Sequence, residues 1–274
     1  MRRRSVLSLT TLAAVSTLLT GCGSSSSGVA ASSAPSPSAP ASSAPSPSGT
    51  ASGQITVFAA ASLTGSFTQL GRQFEAAHPG THVVLSFGAS STLATQIVQG
   101  APADVFASAS AKNLDQVVTA KAATAGKPFA RNVMEIAVPP ANPAQITQLS
   151  DLAEPGVKVV LCAEAVPCGS TARAVFTKAK LTVKPVSNEA DVKATLSKVQ
   201  LGEADAGVVY VTDVLAAGAK VKGITIPADL NASTSYPIAP LTASKNPTLA
   251  AAFVDYVLSP DGQAVLARAG FEKP

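Results

Sequence analysis

Two serines stand where a strand gives way to a helix, and that placement is the chemically most suggestive feature of the chain. The stretches are ITVFAAASLTGSF (residues 55–67) and VVLSFGASSTLATQI (residues 83–97). In each, an apolar run passes through small residues to a serine, and a helical pattern follows at once. Such a turn sets a hydroxyl and the unpaired first-turn NH groups of a helix at the carboxyl edge of a sheet. Helix N-termini carry partial positive charge, so two that converge form an anion site without Lys or Arg. The chemistry predicted is reversible capture of a small oxyanion.

Other reactive side chains fit less well. The chain has three cysteines and two histidines. His78 and His82 flank Pro79-Gly80, which breaks any helix that could put them on one face, so they read as exposed turn residues. Cys162 and Cys168, in LCAEAVPCG, are expected to be bridged in an exported protein; zinc is the competing reading and would need two further ligands. There is no G-x-S-x-G elbow, carboxylate pair or glycine-rich phosphate loop, so an enzyme is not expected. Asp104 and Asp213 read as helix-cap or scaffold residues.

The elements that must hold these serines alternate strand and helix from residue 54 to the end. Strands are expected near residues 55–60, 83–87, 104–108, 157–161, 206–211 and 223–226, with extended segments at 132–138 and 236–240. Helices are expected at 63–74, 92–99, 112–120, 170–180, 190–201, 213–217, 247–258 and 260–269. This alternation predicts an α/β body with mainly parallel sheets and a ligand at the strand carboxyl ends. At 46% hydrophobic but only 4% aromatic residues, its core must be built from Ala, Val, Leu and Ile.

The front end belongs to no core. Residues 1–22 read as a signal: Arg2, Arg3 and Arg4, an apolar run, then Leu19-Thr20-Gly21-Cys22. This resembles the lipobox of bacterial lipoproteins, in which Cys22 would take the lipid. The apolar run is shorter than the roughly 20 residues that span a bilayer. Arg3-Arg4 leaves the export route, general or twin-arginine, open. Residues 23–53 are, apart from Val29 and Thr50, Ser, Ala, Pro and Gly, with ASSAPSPS occurring twice, and are expected to form a disordered tether. Stretched toward polyproline geometry at ~3.1 Å per residue, it would reach on the order of 90 Å. Without the signal's three arginines the net charge falls from +4 to +1. With no Lys/Arg run in the body, nucleic-acid binding is not expected.

VFAAASLT, FGASSTLATQI, GAPADVFASA, VPCGSTAR, ADVKATL and GVVYVTD, in this order and spacing, resemble the periplasmic molybdate-binding protein family of ABC transporters. The resemblance covers residues 54–274. It implies a type II periplasmic binding protein fold: two α/β lobes, 54–131 plus 237–274 and 132–236, closing on a ligand between them. Crossovers would fall near Arg131-Asn132 and Tyr236. The implied ligand, molybdate and with it tungstate, would meet the hydroxyls and NH groups of Ser62 and Ser90, the backbone NH of Cys168 and of Val192, and the Tyr210 phenol. Molybdenum would thus be held as its oxyanion, with no cofactor. Cys168 replaces an expected alanine, which matters little where only its NH is used. The implied partners are an ABC permease with its ATPase. The implied form is a monomer, lipid-anchored at the outer face of the cytoplasmic membrane. A fully deprotonated dianion needs donors and no acceptor. On that ground a phosphate site, which would call for a carboxylate, is disfavoured, while sulfate or a broader oxyanion range stays open. A sensor, adhesin or hydrolase on the same fold are the remaining alternatives.

Overall fold

The computed structural model describes residues 52–274. The signal expected at 1–22, the lipid-accepting Cys22 and nearly all of the tether expected at 23–53 lie outside the described residues. In chain order the elements are β1 (Gly53–Ala60), a 3-10 turn (Ala61–Leu63), α1 (Thr64–Ala77), β2 (Thr81–Gly88), α2 (Ser90–Val98), β3 (Val105–Ala107), α3 (Ala111–Thr119) and β4 (Lys127–Val138). A 3-10 turn (Leu149–Ala153) leads to β5 (Val159–Cys162), α4 (Pro167–Ala179), β6 (Ser187–Glu189), α5 (Val192–Gln200), β7 (Ala206–Tyr210), α6 (Val211–Ala217) and β8 (Lys222–Thr225). The chain ends with β9 (Ser233–Pro240), α7 (Pro247–Leu258) and α8 (Pro260–Arg268). Among the described residues no helix is long and apolar enough to cross a membrane.

The strands run in the order β2-β1-β3-β9-β4-β7-β5-β6, with β8 alongside β4. Pairing is parallel at both flanks, β1 with β2 and β3, and β5 with β6 and β7. It is antiparallel in the middle, where β9 pairs β3 and β4, and β4 pairs β7 and β8. The mainly parallel sheet expected from the sequence therefore holds only at the flanks. In β1 successive side chains face opposite ways. Ile55, Val57 and Ala59 join Phe67, Leu70, Phe74 and Phe253 on one face, and Phe58 joins Phe106, Leu93 and Leu114 on the other.

The long strand β4 organises the molecule. Its first part, Lys127 to Val133, pairs β9, and its second, Met134 to Val138, pairs β7 and β8. The apolar residues divide at the same place: one cluster draws on residues 134–232 with Ala61 and Ala89 touching it, and the other two on residues 55–130 and 236–271. Two departures from the sequence expectation follow. β1 begins at Gly53, one residue inside the expected tether, because the Gly53 NH bonds the Gly80 carbonyl at 2.9 Å. β6, three residues of mixed polarity (Ser187-Asn188-Glu189), carries no apolar pattern and is held by pairing with β5 alone.

Candidate functional site

Where β4 and β9 carry the chain between the clusters, strand-to-helix turns from both parts of the body converge on a small cavity. Its walls are Ala60, Ala61 and Ser62 after β1, Gly88, Ala89 and Ser90 after β2, and Ala109 after β3. Opposite them lie Val166, Pro167 and Cys168 at the start of α4, Asp191 and Val192 at the start of α5, and Tyr210 at the end of β7. The space open to the centre of a water-sized sphere is about 20 Å³. A single water needs roughly 10–15 Å³ on that measure, so the scale is that of a compact ion, not an organic ligand. All five residues expected to hold the ligand, Ser62, Ser90, Cys168, Val192 and Tyr210, lie on this wall.

Three hydroxyls stand on the wall, those of Ser62, Ser90 and Tyr210. Ser90 Oγ accepts the Ala109 NH at 2.9 Å, which leaves the serine's own proton for the cavity. Ser62 Oγ lies 2.9 Å from the Tyr236 hydroxyl, both buried. The Tyr210 hydroxyl, on a ring 1% exposed, makes no well-formed hydrogen bond among the described residues, with the Thr171 and Tyr236 side chains close by. A buried hydroxyl without a partner costs about 1–3 kcal/mol unless something in the cavity accepts it. Burial pushes the Tyr210 phenol well above its usual pKa, so it keeps its proton as a donor.

Backbone donors complete the set. Ser62 sits in the 3-10 turn that runs into α1, and Ser90 is the first residue of α2. Pro167 opens α4, where a missing NH costs nothing, and the next NH is that of Cys168. Asp191 caps α5: its Oδ1 accepts the NH groups of Lys193 and Ala194 at 2.8 and 2.9 Å, leaving the Val192 NH as the free first-turn donor. Among the described residues the wall carries no Lys or Arg, so the positive potential of the wall itself is that of helix ends.

Asp191 is a correction to the sequence reading, which disfavoured phosphate because it expected no carboxylate acceptor at the site; this one stands on the wall, and its engaged oxygen is a helix cap. Cys162 and Cys168 are joined by a disulfide, both buried, so the turn that presents the Cys168 NH is tied back to β5. Among the described residues no group of three or more His, Cys, Asp and Glu is placed to hold a metal ion. His82 is exposed and meets Glu75 at 2.9 Å, whereas His78 is half-buried and stacked on Phe74, so the expectation of two exposed turn histidines holds for His82 only.

Asp104 is scaffold: it accepts the Thr56 NH at 2.7 Å and the Ser244 hydroxyl at 2.5 Å. Asp213, fully buried, accepts the Tyr210 NH and pairs with Lys193 at 3.0 Å. Sequence reasoning gave no role to Tyr236, Asn132 and Thr212, although Asn132 and Tyr236 were expected at the crossovers. Their signal was faint: a lone Asn beside the apolar run VMEIAV, and one of only three tyrosines.

Residues 55–272 match the bacterial extracellular solute-binding protein family. Over 222 residues the chain is 45% identical to the molybdate-binding protein ModA of Mycobacterium tuberculosis (strain H37Rv), covering 80% of this chain and 85% of that protein. The molybdate-binding protein ModA of Escherichia coli K12 is 36% identical over 231 residues, covering 80% and 89%. Among solved structures, the periplasmic molybdate-binding protein of Azotobacter vinelandii superposes with a TM-score of 0.71 at 24% identity, covering 80% of this chain and 99% of that one. At that identity the likeness speaks for the fold alone.

Proposed function

Because this chain belongs to the bacterial extracellular solute-binding protein family, we propose that its cavity captures molybdate and delivers it to the permease of an ABC importer. The fold is that of a periplasmic binding protein. The observation that carries the ligand class is the polarity of the wall. Ser90 Oγ already accepts a backbone NH, Ser62 Oγ shares one hydrogen bond with the Tyr236 hydroxyl, and the buried Tyr210 hydroxyl has no hydrogen-bond partner among the described residues, so the wall offers hydroxyl protons to an acceptor. A tetrahedral oxyanion without a proton near neutral pH is the matching chemistry. The metal identity rests on the similarity to the molybdate-binding relatives.

In this reading Ser62, Ser90 and Tyr210 give hydroxyl protons, and Ser62, Ser90, Cys168 and Val192 give backbone NH groups. Residues 54–131 with 237–274 act as one lobe and 132–236 as the other. Since the donors come from both, a bound anion bridges them and shifts the body toward a closed form that the permease recognises. Tungstate, with the same shape and charge, is taken as well. The protein works as a monomer, does no chemistry on its ligand, and is exported and held at the outer face of the cytoplasmic membrane by lipid on Cys22. The ATPase of the importer drives release into the cell.

Calorimetric titration of the purified protein with molybdate, tungstate, sulfate and phosphate at one pH tests this. Tight binding of the first two alone is expected. Sulfate bound equally well would make it a broader oxyanion receptor, and no binding of any anion would end the proposal.

A further inference from the structure

A line of hydrogen bonds reaches the cavity from the strands that join the two parts of the body. The Val133 NH donates to Asn132 Oδ1 at 3.1 Å, which fixes that atom as the amide oxygen. Both protons of Asn132 Nδ2 then face acceptors, Thr212 Oγ1 at 2.8 Å and, in a longer contact, the Tyr236 hydroxyl at 3.5 Å. Receiving from Asn132 takes up one acceptor position of the Tyr236 oxygen and leaves its proton to give, with Ser62 Oγ 2.9 Å away. If Tyr236 gives that proton to Ser62, the serine accepts within the protein and its own proton turns to the cavity. Asn132, Tyr236 and Thr212 are all buried, so water does not compete for these groups.

We infer that Tyr236 is a positioning residue for the oxyanion site: it donates to Ser62 and so makes the Ser62 hydroxyl a committed, polarised donor to the ligand. Each bond in such a chain strengthens the next in a low-dielectric interior. The line also crosses the strand pair β4-β9 and ends at Thr212 on α6, so Ser62 is oriented from the segment about which closure would occur. Ser90 is oriented differently, by a backbone NH after β3, and does not depend on this line. The inference rests on the oxyanion reading of the cavity.

Its test is a double-mutant cycle in molybdate affinity on the purified protein, using Tyr236→Phe, Ser62→Ala and the pair together. The phenylalanine ring keeps the edge contacts that Tyr236 makes with Phe129, Tyr210 and Phe271. Tyr236→Phe is expected to weaken binding about fivefold to thirtyfold on its own and less than twofold in the Ser62→Ala background. Asn132→Ala, which leaves Tyr236 in place but removes the donor that sets its direction, is expected to show a smaller loss that also disappears with Ser62→Ala. Wild-type affinity in Tyr236→Phe, or an undiminished loss in the Ser62→Ala background, would overturn the inference. A readout without ligand separates this from failure of the oxyanion reading. The buried Tyr236 hydroxyl proton should give a slowly exchanging NMR signal with a cross-peak to the Ser62 methylene protons. Absence of that signal refutes the inference, whereas its presence in a protein that takes no anion refutes only the functional reading.

Discussion

Removing the Tyr210 hydroxyl should move affinity and stability in opposite directions. In the free protein that oxygen is buried without a well-formed hydrogen bond among the described residues, a state that costs about 1–3 kcal/mol. Tyr210→Phe removes the unsatisfied group and keeps the ring, which packs edge-on to Tyr236 with centroids 6.2 Å apart. The ligand-free protein should therefore melt higher, by about 2–4 °C for each kcal/mol recovered in a body of this size. A hydrogen bond to a charged acceptor is worth about 1.5–3 kcal/mol, so the bound state loses that much, about tenfold to a hundredfold in affinity. Differential scanning calorimetry without ligand and titration with molybdate give both quantities on one sample. A lower melting temperature with unchanged affinity would show that the hydroxyl serves the scaffold and not the ligand, and would refute the reasoning from its missing partner.

Ser90→Ala should behave differently. It removes a cavity donor and leaves the buried Ala109 NH without its acceptor, so affinity should fall at least about tenfold and unfolding free energy by about 1–3 kcal/mol in a urea titration. An unchanged urea midpoint would mean that the Ala109 bond contributes nothing. Burial raises the Asp213 pKa while Lys193 opposes the rise. A carboxyl whose folded-state pKa lies above its unfolded value loses stability as pH climbs from the usual carboxylate range through the folded value. Lys193→Met extends that window upward, so its penalty, roughly 1–3 kcal/mol for a lysine that is itself partly exposed, should be larger at pH 8 than at pH 5. Equal penalties at the two pH values would count against the pairing. Reducing the Cys162–Cys168 disulfide should lower stability by about 2 kcal/mol and weaken molybdate binding severalfold, because the turn presenting the Cys168 NH loses its tie to β5. Identical titrations before and after reduction would remove the disulfide from the binding argument.

Much of this protein was legible in one dimension because its site is made of helix beginnings. A serine after an apolar run, as at Ser62 and Ser90, announces locally both the end of a strand and a hydroxyl beside free NH groups. The turn at Pro167-Cys168 and the start of α5 at Val192 were reached through the family resemblance, since the apolar pattern alone began those helices near residues 170 and 190. What the sequence could not determine is which of those hydroxyls still has a proton to give. That depends on partners far along the chain: Ala109 lies 19 residues from Ser90, and Tyr236 lies 174 from Ser62. Dependence on distant partners likewise put Asp191 on the cavity wall, although its cap on α5 is local, to NH groups two and three residues on. It also explains β6, which exists because β5 offers it an edge. Local residue type set the strand-to-helix turns, whereas tertiary pairing through β4 and β9 decided which of them converge and which way each hydrogen bond runs.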